Sequence, residues 1–119
     1  AHALAFHDIH PQAPTHILVI PKGAYISLDD FTAKASAAEL EGFWRAVGTV
    51  ARQAELATGG YRLISNHGAN AHQEVPHFHV HILGGRALGP MLERVQGGGK
   101  SENAEDSASA GANSARPKR

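Results

Sequence analysis

The sequence predicts an α+β domain built as an antiparallel sheet with one main helix. Three observations carry this. Short apolar stretches, alternating or β-branched, occur four times, and one long stretch places apolar residues at i, i+3, i+4 and i+7. Their order is strand, strand, helix, strand, strand, which suits an antiparallel α+β arrangement. The pattern stops near residue 95, since 96–119 contain no Leu, Ile, Val, Phe, Tyr or Trp.

The first strand is under way at once: in "AHALAFHDI", Ala3, Ala5 and His7 alternate with Leu4, Phe6 and Asp8. "PQAP" turns the chain. "THILVIPK", residues 15–22, is aliphatic, β-branched and bounded by prolines, and reads as a buried strand. A loop passes through Tyr25 and Ile26. Ser36 and Glu39 then form a capping-box start, and Leu40, Phe43, Trp44, Val47, Val50 and Ala51 share one helical face over 36–56. An aromatic pair such as Phe43 and Trp44 is expected in the core or at a subunit interface. Gly59-Gly60 closes the segment. "GYRLISN" is the third strand, with Tyr61, Leu63 and Ser65 on one face. After the polar loop "HGANAHQEV", Pro76 enters the last strand, "HFHVHILGG", which Gly84-Gly85 breaks.

Composition narrows the classes. The chain has 119 residues, with 11 Lys plus Arg against 11 Asp plus Glu, so bulk charge directs it to no nucleic acid. Residues 1–95 form the expected domain. Residues 96–119, rich in Gly, Ser, Ala and Asn, are expected to be a disordered tail with a solvated basic end. A domain this small buries only about 60% of its unfolded surface, which favours oligomerisation. There is no cysteine, hence no disulfide framework or thiolate metal site, which fits a reducing, cytoplasmic setting. No apolar run approaches the ~20 residues of a membrane span, and no signal peptide is visible. Nine histidines are the compositional oddity.

Three of them occur in "HFHVHIL", residues 77–83. Strand side chains alternate faces, so His77, His79 and His81 share one face and Phe78, Val80 and Ile82 the other. Neighbouring imidazoles are about 6.5–7 Å apart at the backbone. Three readings fit this spacing. The first is a polar, solvated face. The second is a zinc site using two strand imidazoles, completed by His16 or a histidine of the 67–72 loop. The third is nucleophilic catalysis. A neutral imidazole whose one nitrogen is held as a donor can attack phosphorus through the other, and its neighbours can hold phosphoryl oxygens. His79, flanked on both sides, is then the nucleophile.

"HFHVHIL" resembles the signature of the histidine-triad (HIT) superfamily. "LAFHDIHPQAPTHILVIPK", "GYRLISNHG", "GGR" and "LGPML" are similar to its Hint branch, the bacterial-type histidine triad nucleotide-binding proteins, over roughly residues 3–92. The resemblance implies a HIT-like antiparallel sheet, a homodimer, and hydrolysis of nucleoside 5′-phosphoramidates of AMP or GMP. By matched positions it implies His79 as the nucleophile, His81 as the partner of the phosphoryl oxygens, and His77 and His16 as a supporting pair. It implies Asp8 as the ribose acceptor, Phe6, Ile9 and Leu18 as the wall against the base, and Asn66 as a sugar-phosphate contact. It implies no metal or other cofactor, and a purine nucleotide as the only small partner, with no nucleic acid and no membrane. The same histidines could also serve a dinucleoside polyphosphate hydrolase, a nucleotidyl transferase or a non-catalytic nucleotide-binding module.

Three departures stand out. Glu74 occupies a position where well-known members place Ser or Thr near the phosphate, so its side chain is expected to point outward and leave the backbone amide as donor. The family's N-terminal helix has no counterpart before Ala1, so an N-terminally truncated domain is expected. His10, His67 and His72 lie outside the triad and are expected as exposed loop histidines.

Overall fold

The computed structural model describes residues 1–92; the expected tail and the last residues of the expected domain lie outside them. The described chain divides into two units, Ala1–Asn66 with Pro76–Leu88, and His67–Val75 with residues 89–92. The first unit holds every strand and both α-helices. Its elements are β1 (Ala3–His7), β2 (Thr15–Pro21), α1 (Leu28–Lys34), α2 (Ala37–Gln53), β3 (Tyr61–Ile64) and β4 (Val80–Gly84). The four strands form one antiparallel sheet in the order β1-β2-β4-β3. The fold is α+β, as the strand and helix patterns predict. β2 and β3 run parallel with β4 between them, and the two helices make the long connection that such a pair needs.

α2 begins as its sequence dictates. The Ser36 hydroxyl accepts from the Glu39 amide at 3.1 Å, and the Glu39 carboxylate accepts from the Ser36 amide at 3.0 Å. Phe43, Val47 and Ala51 are buried, with Leu40 and Val50 packed beside them. Trp44, expected in the same stripe, is 40% exposed, and its ring meets those of Phe43 at 5.0 Å and Phe78 at 6.4 Å, both edge-on. α2 covers β1 and β2.

Three differences from the sequence reading have physical causes. The helix α1 falls in a stretch read as loop. Ser27 caps it by accepting from the Asp30 amide at 3.3 Å, and its single buried residue, Phe31, is too little to show a period. α2 stops at Gln53 rather than running to Leu56, because Glu55 adopts a left-handed conformation (φ 62°) and Leu56 folds back into the core. β4 starts at Val80, not His77. Residues 77–79 lie outside the paired ladder and bond elsewhere: the Phe78 amide donates to the Tyr25 carbonyl at 2.6 Å.

The helix-side core joins Ile17 and Val19 of β2, Val80 and Ile82 of β4, and an aromatic group of Phe31, Phe43 and Phe78. The Phe78 ring stacks on Phe31 at 5.0 Å and tilts against Phe43 at 5.2 Å. β4 ends at Gly84 and is followed by Gly85, whose φ of +93° suits glycine and whose missing Cβ leaves room for Pro14.

The second unit is a compact loop. Residues Ala69–Ala71 form a 3-10 turn. The Gln73 side chain accepts from the Gly68 amide at 2.9 Å and donates to the Val75 carbonyl at 3.1 Å. His72 and Glu74 approach at 2.9 Å, both well exposed.

Candidate active site

Among the described residues α2 packs on one face of the sheet, and the candidate site lies on the other. The pairing register puts Phe6 opposite Leu18 and Leu18 opposite His81. This row alternates with the core-facing row of Ile17 and Ile82, so it lies on the far side of the sheet from α2. The predicted alternation of residues 77–82 holds: Phe78, Val80 and Ile82 are buried, and His77, His79 and His81 are half-buried. Only His81 sits within a paired strand.

The His79 segment is held by bonds that replace the missing ladder. The His77 ring donates from Nε2 to the Pro21 carbonyl at 3.4 Å. Phe78 is anchored through its amide, as above. The Ser65 hydroxyl donates to the His79 carbonyl at 3.0 Å, extending the β3–β4 contact by one side chain beyond the last paired residues, Ile64 and His81.

Ring protons follow from what each nitrogen faces. His79 Nδ1 lies 2.8 Å from the His77 carbonyl. A carbonyl only accepts, so Nδ1 carries the proton and Nε2 of the neutral ring keeps its lone pair. His16, almost fully buried in β2, has Nδ1 3.1 Å from the Gln12 amide, which only donates. Its Nδ1 is therefore the acceptor and its Nε2 bears hydrogen. That Nε2 lies 2.9 Å from His81 Nδ1 and 3.5 Å from Asp8 Oδ2. His16 thus donates to His81, and neutral His81 carries its own proton at Nε2. The His81 ring sits 5.1 Å from that of His16 and 5.0 Å from that of His79, edge-on to the latter. The order is Asp8, His16, His81, His79: a carboxylate, two oriented imidazoles and a third with a lone pair.

Of the residues singled out in the sequence, the structure brings together Asp8, His16, His79 and His81, with Leu18 and Phe6 beside them on the same face. His77 contributes its carbonyl to His79 while its ring turns to Pro21. Asp8 accepts from the His10 amide at 2.7 Å as well as approaching His16. Ile9 stands after β1 and is 86% exposed. Asn66 follows Ser65, half-buried. Glu74 belongs to the second unit, where it faces His72. His10, His67 and His72 are exposed. Sequence reasoning missed Ser65 and the groups that act through backbone atoms, namely Gln12, Pro21 and Tyr25. Backbone donors and acceptors leave no mark in side-chain type. Ser65 could have been noticed as a lone hydroxyl at the end of a strand.

Comparison with known proteins gives the family. The HIT domain family model matches residues 1–88. A 13.2 kDa HIT-like protein of Azospirillum brasilense is 64% identical over 93 residues, 78% of this chain and 76% of its own length. The purine nucleoside phosphoramidase of Escherichia coli K12 is 48% identical over 88 residues, 74% of this chain and 73% of its own. Among solved structures, the HIT family hydrolase of Clostridium thermocellum superposes with a TM-score of 0.69 at 38% identity, covering 77% of this chain and 79% of its own.

Proposed function

We propose, from the premise that this chain belongs to the HIT domain family, that it hydrolyses the P–N bond of purine nucleoside 5′-phosphoramidates through a nucleotidyl-His79 intermediate. The observation that carries the reading is the 2.8 Å bond from His79 Nδ1 to the His77 carbonyl. It leaves Nε2 as an oriented lone pair, which is what a nitrogen nucleophile needs.

Nε2 of His79 attacks the α-phosphorus. The new P–N bond to the ring forms as the bond to the amine breaks, and the amine leaves with a proton taken from solvent, which the water of the second step gives back. Water then cleaves the phosphorus–His79 bond, giving the nucleoside monophosphate and the free ring. His81, aligned by His16, presents its Nε2–H to a phosphoryl oxygen. Phe6 and Leu18, both on this face, supply an apolar wall for the base, and Ile9, exposed just after β1, is the third residue assigned to it. Asp8 uses lone pairs on His10 and His16, yet an ionised carboxylate has about four acceptor sites. The remainder suit ribose hydroxyls, and Asn66 suits the sugar-phosphate. The likeness to the Escherichia coli phosphoramidase supports this substrate class.

A second copy of the chain completes the picture. Among the described residues β3 is an edge strand, and Leu63, opposite buried Ile82, shares the helix side of the sheet with Tyr61. Tyr61 and Leu63 are 41% and 44% exposed, beyond the cover that α2 gives. An apolar edge of this kind invites pairing, and we assign it to a homodimer. The absence of cysteine supports a cytoplasmic setting.

The test is release of AMP from a tryptamine-type AMP phosphoramidate, with His79→Ala in parallel. Turnover by the wild type alone supports the reading. Turnover retained in His79→Ala removes the nucleophile assignment, and nucleotide binding without any turnover favours a binding module.

A further inference from the structure

Asp8, His16 and His81 each offer a ligand atom, and these atoms lie within 4.8 Å of one another. By distance alone the group could hold a divalent cation of the zinc class. The hydrogen bonding around it argues the opposite. A metal-ligating histidine ordinarily donates its second ring N–H to a carboxylate, carbonyl or water. His16 is arranged in reverse: its Nδ1 faces a donor, the Gln12 amide, at 3.1 Å. If Nε2 gave its lone pair to a metal, the proton would move to Nδ1 and meet that amide head-on. The only escape is loss of both ring protons.

We propose that the Gln12 backbone amide is a tautomer lock. It keeps the His16 proton on Nε2, directed at His81 Nδ1 2.9 Å away, and so sets the His81 proton on its outward nitrogen. By the same bond it keeps zinc-class metals off the carboxylate–imidazole cluster. Asp8 cannot do this by itself. Its oxygen lies 3.5 Å from Nε2, and a carboxylate there accepts from a neutral ring and more strongly from a charged one, so it does not keep a proton off Nδ1. Only a donor at Nδ1 forbids a proton there. The sequence narrows which amide can serve: in Pro11-Gln12-Ala13-Pro14 the two prolines have no N–H to give, and of the two amides left it is that of Gln12 that faces the ring. The Gln12 side chain is exposed, so the role belongs to the backbone and tolerates other side chains.

The test exchanges only that N–H. In one protein Gln12→Ala keeps the amide; in a second, the α-hydroxy counterpart of alanine is incorporated at position 12, replacing N–H by an ester oxygen. Ring nitrogens are read by ¹⁵N spectroscopy, and zinc ion is titrated calorimetrically. Wild type and Gln12→Ala should show His16 unprotonated at Nδ1 and matching, weak zinc binding. The ester should show mixed tautomers and bind zinc at least about tenfold more tightly, the lower end of what outer-shell partners contribute to metal affinity. Equal zinc affinity in amide and ester proteins, or a wild-type His16 protonated at Nδ1, overturns the proposal. Should the ester protein not fold, the wild-type spectrum decides by itself. Neither readout uses phosphoramidate turnover, so failure here is distinct from failure of the proposed reaction.

Discussion

Phe78→Ala cuts the link between the core and the nucleophile. Phe78 is 1% exposed and packs its ring on Phe31 and Phe43, while its chain neighbours are His77 and His79. Burying such a ring removes about 150–250 Å² from water. At about 25 cal/mol per Å² this amounts to about 4–6 kcal/mol, an upper figure because the unfolded chain already hides part of that area. Core Phe→Ala changes cost about 3–5 kcal/mol, so the two routes agree, and we expect a loss in that range. At about 0.05–0.15 kcal/mol per residue, a folded region of this size has about 5–14 kcal/mol in all. Unless the total lies at the bottom of that range, the variant should keep a folded state with a melting point lowered by at least about 12 °C, taking about 4 °C per kcal/mol. Urea titration at 25 °C followed by circular dichroism measures it, with Phe78→Leu as the control that keeps most of the volume. Where Phe78→Ala is still fully folded, its turnover should also fall, since the His79 backbone has lost its anchor. A cost below about 1.5 kcal/mol, the range of volume-conserving swaps, would refute the claim that Phe78 seats this segment.

Ser65→Ala removes the bond to the His79 carbonyl; a hydrogen bond worth about 0.5–1.5 kcal/mol converts to a kcat lower by about 2- to 13-fold with KM nearly unchanged, and a change in KM alone would speak against a positioning role. Ser36→Ala should cost about 1 kcal/mol through loss of the N-cap of α2, seen in the urea midpoint; no change would mean that the capping box does not hold the helix in solution. The Ser36 amide, and then the Tyr25 hydroxyl, hold the Glu39 carboxyl below its ordinary value of 4.5. The folded state thus favours the ionised form. That contribution is whole above the ordinary value and is lost as pH falls through the lowered one. Glu39→Gln should flatten the acid side of the stability curve, and parallel acid curves for wild type and variant would contradict this. Leu63→Lys should shift the protein from dimer to monomer in light scattering after gel filtration, whereas an unchanged mass would move the subunit contact elsewhere.

Much of this structure could be read before it was seen, for reasons that lie in individual residues. The capping box at Ser36 and Glu39 is local chemistry, three residues apart, and it starts α2 where expected. The alternation of residues 77–82 separates Phe78, Val80 and Ile82 from the three histidines because a chain extended by Pro76 alternates whether or not it is paired. What escaped depended on partners distant in sequence. The start of β4 is set by the Tyr25 carbonyl and by Ser65, neither of which marks its own role. α1 has a cap in Ser27 and Asp30 but one buried residue, so no period could show. Trp44 satisfies the helical spacing and touches the rings of Phe43 and Phe78, yet stays partly exposed, which spacing does not foretell. The joining of Asp8, His16 and His81 depends on the β1–β2–β4 register, which spacing does not specify. The ring tautomers depend on the backbone atoms of Gln12 and His77.

The most direct test of the account is a rapid quench of wild-type protein during turnover of an AMP phosphoramidate, followed by peptide mass analysis under conditions that preserve phosphorus–nitrogen bonds. The account predicts a transient adduct of one nucleoside monophosphate on the peptide bearing His79, placed on that ring by fragmentation and absent from His79→Ala. Steady turnover with no adduct on His79, or an adduct on His77 or His81 instead, would contradict it.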